Sequence, residues 1–241
     1  MTRYLYLIFL IGVVLAPGIG VAQEGRSSTP NYQHDSRSYI HNPKYQGMVR
    51  RALKYQPEDF RFGKFRMHYK NTTWYDPVAD KLREEMLAHA FTILYSEDSV
   101  AIRDAKEKYK QIVSDHMANV GVVIEALALA REDKRFGDTE FFRWMSSGLM
   151  QVVLKSGDGR SLRGAYNVNT LDEETLLIHH LNLKLIKTDA RHSSRIYYNM
   201  HLVRDLISGE EFTLFVDVTH PFAKIEEDAK EPNYAIKILR Q

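Results

Sequence analysis

Cysteine is absent from the 241 residues. The chain therefore has no disulfide framework, no thiolate nucleophile, no Cys-ligated zinc and no iron–sulfur cluster. Charge of one sign is lacking as well. There are 33 Lys plus Arg against 31 Asp plus Glu, a net of +2, so the broad basic excess of a nucleic-acid or membrane-surface binder is missing. Apolar runs are short: the longest, Tyr4 to Ala16, falls well below the roughly 20 residues that cross a bilayer. His-Glu-x-x-His, Gly-x-Ser-x-Gly and Gly-Lys-Ser/Thr do not occur. Their absence removes the commonest zinc-protease helix, serine-hydrolase elbow and Walker-type phosphate loop.

What is present begins with an address. Arg3, the apolar run and then Pro17, Gly18 and small residues have the three-part layout of a secretory signal peptide. Cleavage between Ala22 and Gln23 places Gly20 and Ala22 at the two positions that need small side chains. Residues 1–22 are thus expected to be removed, 23–40 to form a polar flexible leader, and 41–241 to fold as one domain in the periplasm or the medium. The mature chain is expected to have no membrane span and no nucleic-acid partner. Without cross-links its stability must come from packing, which a chain of this size can supply.

Periodicity predicts helices first and strands later. Asn42-Pro43 and Asp76-Pro77 are helix-start chemistry, a capping side chain followed by a proline that loses no hydrogen bond. The first of these helices is expected to run to Tyr55, with Pro57 stopping it. Between them, Phe60, Phe62, Met67 and Tyr69 alternate with Arg61, Arg66, His68 and Lys70, a period of two that predicts an extended segment. Further helices are expected to about Tyr95, from Glu97, from about Asp115, and from Glu140 to Lys155 behind Asp138 or Thr139, with Gly157 closing the last in left-handed conformation. Ala165 to Val168 reads as a short strand. Thr170-Leu171-Asp172-Glu173 has the pattern of a capping box. Leu183 to Thr188, Arg195 to Leu206, Phe212 to Val218 and Tyr234 to Leu239 read as strands, with a turn at Ser208-Gly209-Glu210. This order predicts an α+β fold, a helical N-terminal half packed against a small antiparallel sheet formed mainly by the C-terminal third.

The stretch Ser156-Gly157-Asp158-Gly159-Arg160-Ser161, followed by Ala165-Tyr166-x-Val168, an acidic helix start and His180-x-Asn182-Leu183, resembles an exported bacterial family, domain of unknown function 4919. Phe65-Arg66-x-x-Tyr69, Tyr75-x-Pro77, Leu214-Phe215-Val216-Asp217-Val218 and Pro221 extend the likeness over most of the mature chain. Arg66-Met67-His68-Tyr69-Lys70 stands where the family has a Tyr-rich stretch, and His180-Leu181-Asn182-Leu183 replaces a Gly-containing helix end. The resemblance implies export and a shared fold, and brings no activity with it.

Two surfaces carry candidate chemistry. Phe60 to Tyr75 holds six aromatics and four Lys or Arg with no acid, a composition that can stack on sugars and neutralise anions. Arg61, Lys64, Arg66 and Tyr69 are its candidate binding residues. In the second, Ser156, Gly157, Asp158, Gly159 and Ser161 form a tight loop whose amides could hold an anion or whose carboxylate a hard cation, against a purely structural turn. The acids Asp172, Glu173 and Glu174 fit stabilisation of a helix start better than paired carboxylate catalysis. No metal site and no cofactor are expected: adjacent His179 and His180 point about 100° apart on a helix, and Asp217 and His220 lie three residues apart at a strand end. The sequence favours a non-catalytic binding module of the cell envelope, with an envelope protein or a glycan as partner. The alternative is a hydrolase of an envelope or dietary substrate using Asp158, Asp217 and His220.

Overall fold

Short polar side chains begin most of the long helices. Asn42 accepts from Tyr45 N, Asp98 from Val100 N and Ala101 N, Asn119 from Val122 N, and Asp138 from Glu140 N and Phe141 N, each supplying a partner for amides that the first helical turn leaves free. The computed structural model describes residues 42–54, 59–193 and 196–230. The expected Ala22–Gln23 cleavage site, the leader, the Pro57 stop and the strand expected from Tyr234 to Leu239 lie outside these residues.

Among the described residues eight helices and four strands follow in the order α1 Pro43–Leu53, α2 Phe62–Tyr69, α3 Asp80–Tyr95, α4 Ser99–Asp115, α5 Val120–Glu132, a 3-10 turn Lys134–Phe136, α6 Thr139–Leu154, β1 Tyr166–Asn167, α7 Asp172–His180, β2 Leu183–Ser193, β3 Ile196–Asp205, β4 Glu211–Asp217 and α8 Thr219–Ala229. The architecture is α+β, with the helical half packed against a sheet from the C-terminal third. Helix α5 lies at its centre. Val120, Val122, Val123, Ala126, Leu127, Leu129 and Ala130 are all buried, as expected of a helix that is apolar on every side. Stacked Tyr45 and Phe65, 5.0 Å apart, join Phe60, Phe62 and Trp144 in an aromatic cluster over α6.

The sheet order is β1-β4-β3-β2. Strand β3 pairs antiparallel with β2 and β4, whereas the two residues of β1 pair parallel with Val216 and Asp217 of β4. The sheet is therefore mixed rather than purely antiparallel. Asn199, His201, Val203, Leu214 and Val216 face the helices, and Met200, Leu202 and Phe215 lie half-buried on the other side.

Several local expectations change. Phe60 to Tyr75 is not extended: its middle is helix α2, which buries Phe65, Arg66 and Tyr69 and leaves Met67 exposed. Spacing of one and four residues is helical, and no β-branched residue occurs before Thr72 to favour a strand. Asp76-Pro77 makes a turn in which Asp76 accepts from Val78 N. Helix α3 starts only at Asp80, after Ala79 at φ 63°. Helix α5 begins at Val120 behind Asn119 rather than at Asp115, and α8 forms where the sequence suggests only strands. The capping box is replaced: Glu173 reaches back to Asn169 N, and Leu171 stands at the helix cap without a side-chain bond.

Gly157 does not close α6 in left-handed conformation; Gly159, at φ 67°, is the residue with that backbone. Close approach explains Gly157 instead, because a Cβ there would lie 2.1 Å from Gly164 O and 2.6 Å from Ala165 O. Backbone cannot move aside as a side chain can. Gly157→Ala is expected to lower stability by about 1–3 kcal/mol with the slope of a urea unfolding curve unchanged. An unshifted midpoint would contradict this packing.

Candidate functional site

Three consecutive carboxylates open α7, and all three are buried: Asp172, Glu173 and Glu174 are 8%, 1% and 6% exposed. Successive residues on a helix point about 100° apart, so each acid faces a different neighbour. A solvated helix start would have needed none of this burial.

Glu173 meets Arg66 of α2 in a two-pronged pair of 2.7 and 2.9 Å, and accepts from Asn169 N at 2.7 Å. Asn169 donates its side-chain amide to Arg66 O, and its own carbonyl accepts from the Tyr75 hydroxyl. Glu174 turns to the sheet, where it accepts from Asn199 Nδ2 at 2.8 Å and stands 2.7 Å from His201 Nε2. His201 Nδ1 lies 2.9 Å from Thr188 Oγ1. With Nε2–H donating to the carboxylate, Nδ1 is left to accept the Thr188 hydroxyl proton. Asp172 faces the start of α5, where a Cβ on Gly121 would lie 2.2 Å from its Oδ2. Its ion-pair neighbour is Arg83, at 3.6 Å. Burial pushes the Asp172 carboxyl up to about 6, with the Thr170 hydroxyl opposing, the Glu173 charge adding and Arg83 opposing.

Above the Arg66–Glu173 pair the network reaches the surface. Lys70, at the end of α2, and His220, at the start of α8, are half-buried, as is Asp217 at the end of β4. Burial and then the Arg66 charge lower the Lys70 ammonium, against the pull of Asp217 and Glu173. Burial and the Lys70 charge take the His220 imidazole down to about 4. Its ring lies 5.2 Å from that of Tyr75, and its Nε2 is buried without a hydrogen bond among the described residues. Asp217 accepts from Thr219 N and from Asn167 Nδ2, and Asn167 N in turn donates to Ser156 Oγ. The two surfaces read separately from the sequence thus meet here, through Lys70, Asp217, Asn167 and Ser156.

The remaining candidates do not join them. Arg61 and Lys64 are exposed at the other end of α2, and Tyr69 is buried beneath it, its hydroxyl 2.9 Å from His116 Nδ1. In the loop, Asp158 Oδ1 accepts from Arg160 N, Ser161 Oγ accepts from Gly164 N, and Gly159 O accepts from Phe215 N. These bonds clasp the loop to itself and to β4. Among the described residues no hydrogen bond joins Asp158 to Asp217 or His220, and no three His, Asp or Glu side chains gather as a metal-binding group. Sequence reading missed Arg66 as the partner of Glu173, and the Glu174–His201–Thr188 chain. Three adjacent acids in one helical turn were the available signal.

Comparison with protein-family models, with characterised proteins and with solved structures finds no match.

The raised Asp172 carboxyl fixes a sign. A carboxyl whose folded pKa lies above its unfolded value is protonated more readily in the folded state, so its contribution is full below about 4 and is lost as pH rises through about 6. Replacing it by the neutral isostere removes that loss. Asp172→Asn is expected to be more stable than the natural chain above pH 7, by on the order of 2–3 kcal/mol, with the gain gone near pH 4. Urea unfolding at the two pH values checks it, and a gain that grows in acid would contradict the assignment.

Proposed function

We propose that the chain is an exported binding module of the cell envelope whose ligand is a glycan, held by Lys70, Asp217, Asn167 and the His220 ring. The observation that carries this reading is the convergence of α2, β1, β4 and α8 on one half-buried polar patch. That patch offers a cation, a carboxylate, an amide and an imidazole ring. Such a set can donate to and accept from sugar hydroxyls while a ring supports a sugar face. Perturbed ionisation at Lys70 and His220 marks the same place. The signal-like first segment and the likeness to the family of unknown function support export. No helix among the described residues is long and apolar enough to cross a membrane.

The test is isothermal titration of the protein, purified from the exported fraction of a bacterial host, with solubilised envelope polysaccharide. Lys70→Gln with Asp217→Asn is expected to weaken binding about 10- to 100-fold, because asparagine still accepts from Thr219 N. Arg61→Ser with Lys64→Ser is expected to leave it unchanged. The reverse pattern, or no heat with the natural chain, would refute the reading.

A second reading, hydrolysis, is favoured by a different observation, the Thr188–His201–Glu174 chain. In it Thr188 Oγ1 would attack an ester carbonyl, its proton passing to His201 Nδ1 while Glu174 holds the other ring nitrogen; the ester C–O bond would break with that proton going to the departing alkoxide, and water deprotonated by the same Nδ1 would then cleave the acyl-threonine to the free acid. Turnover of a chromogenic acyl ester that is lost in His201→Ala supports this reading. An inert natural chain removes it.

A further inference from the structure

Strand β2 is the open edge of the sheet among the described residues. Of its eleven residues, Leu183 is buried, Asp189 is half-buried and the others are exposed. Long exposed edges carry unpaired amides and carbonyls that template pairing with another strand. The register of β2 with β3 is irregular between Leu185 and Lys187 and regular from Lys187 to Ser193. An irregularity of this kind bends a strand and obstructs pairing along it. It leaves seven residues, Lys187-Thr188-Asp189-Ala190-Arg191-His192-Ser193, as the pairable edge.

Those seven residues complement a reversed copy of themselves. In an antiparallel pair of identical strands the two-fold axis passes through one residue and its own copy. Centred on Ala190, all seven pair: Asp189 lies opposite Arg191 of the second strand, twice, and Thr188 opposite His192, twice. Centring on Asp189 would put its carboxylate against its own copy and Lys187 against Arg191. Centring on Lys187 would oppose two ammonium groups, and centring on Thr188 would run the pairing through the irregular stretch. Asp189 already binds Arg191 within one strand, at 2.5 Å, with both side chains about half exposed. Across the axis the two pairs form a ring of four alternating charges around two small alanines. Opposite charges facing across a strand pair stabilise it and like charges oppose it.

We propose that a second copy of this chain adds to the β2 edge, antiparallel and centred on Ala190, to make one continuous sheet across a dimer. The occupant follows from this charge complementarity. The proposal is independent of the glycan patch, which lies at the opposite edge of the sheet, where β1 and β4 end.

Because the chain has no cysteine, Ala190→Cys introduces its sole thiol at the predicted axis. Air oxidation of that variant is expected to give a disulfide-linked dimer, and Leu206→Cys, in the exposed turn after β3, is expected to stay monomeric. By analytical ultracentrifugation the unmodified exported protein is expected to dimerise. Asp189→Arg and Arg191→Asp are each expected to weaken that dimer about tenfold or more, and the double swap to restore it. Circular dichroism confirms that the variants are folded. A natural chain that stays monomeric, single swaps without effect, a double swap weaker than either single change, or a Thr188→Cys dimer that forms faster than the Ala190→Cys dimer would each overturn the proposal.

Discussion

Arg66 and Glu173 are 107 residues apart in the chain and hold each other at 2.7 and 2.9 Å, both all but removed from solvent. Moving two charges out of water costs several kcal/mol each, and their attraction offsets this only when every lone pair and proton is satisfied. Here the pair is two-pronged and further bonds tie it in. Glu173 also takes Asn169 N, and the Asn169 side chain takes the carbonyl of Arg66. Helix α2, the segment between β1 and α7, and the first turn of α7 are thereby tied into one unit. Losing one member would leave the other charge buried alone, a change that costs about 3–5 kcal/mol in comparable pairs. The Tyr75 hydroxyl on the Asn169 carbonyl extends the tie to the α2–α3 connection, and the Tyr75 ring carries it on to His220. The surface patch is therefore held from beneath.

Most of the elements are legible in the amino-acid sequence, because their causes are local. Asn42 and Asp138 cap the helices that their positions predict, and Leu82, Met86, Ala90 and Ile93 recur at helical spacing and are buried along α3. Strands β3 and β4 follow runs rich in apolar and β-branched residues, whereas β2 continues past the expected Leu183 to Thr188 through the polar Asp189 to Ser193. Failures occur where local pattern and tertiary demand differ. Alternation in Phe60 to Tyr69 counts Met67 as apolar and therefore inward, whereas the buried polar residue Arg66 is the one that faces the core. A charged side chain on an inward face reverses the period that a hydropathy reading finds. The same inversion hides the site: Asp172, Glu173 and Glu174 look like an ordinary acidic first turn, and only partners 25 to 107 residues distant show why they are buried. Long-range pairing leaves no spacing to read.

Each acid of that turn answers burial differently. Glu173 is matched by a guanidinium and Glu174 by an amide and an imidazole, while Asp172, with Arg83 no nearer than 3.6 Å, shifts its proton equilibrium instead. Arg83 also faces the buried carboxyl of Glu125, where burial raises the pKa and the same guanidinium opposes it. One partly solvated cation serving two buried acids compensates neither fully. Protonation is the remaining way to relieve the Asp172 charge.

Histidines respond to acid in the opposite sense. His116, fully enclosed beside Tyr69, and His220, half-buried beside Lys70, are both held neutral down to about 4. Their depressed values mean that the folded chain resists taking up these protons, so stability present above about 6.5 is lost as pH falls through about 4. Asp172 gains over nearly the same interval. The two effects oppose one another in their effect on stability, and burial with the Lys70 charge keeps the His220 imidazole uncharged at neutral pH. A neutral ring thus stands beside a partly desolvated ammonium and an anchored carboxylate. A charged His220 would add a second cation next to Lys70 and remove an acceptor. The buried pair and the surface patch are thus electrostatically linked: Arg66 and Glu173 act in opposite senses on the Lys70 ammonium, and Lys70 in turn acts on the His220 ring.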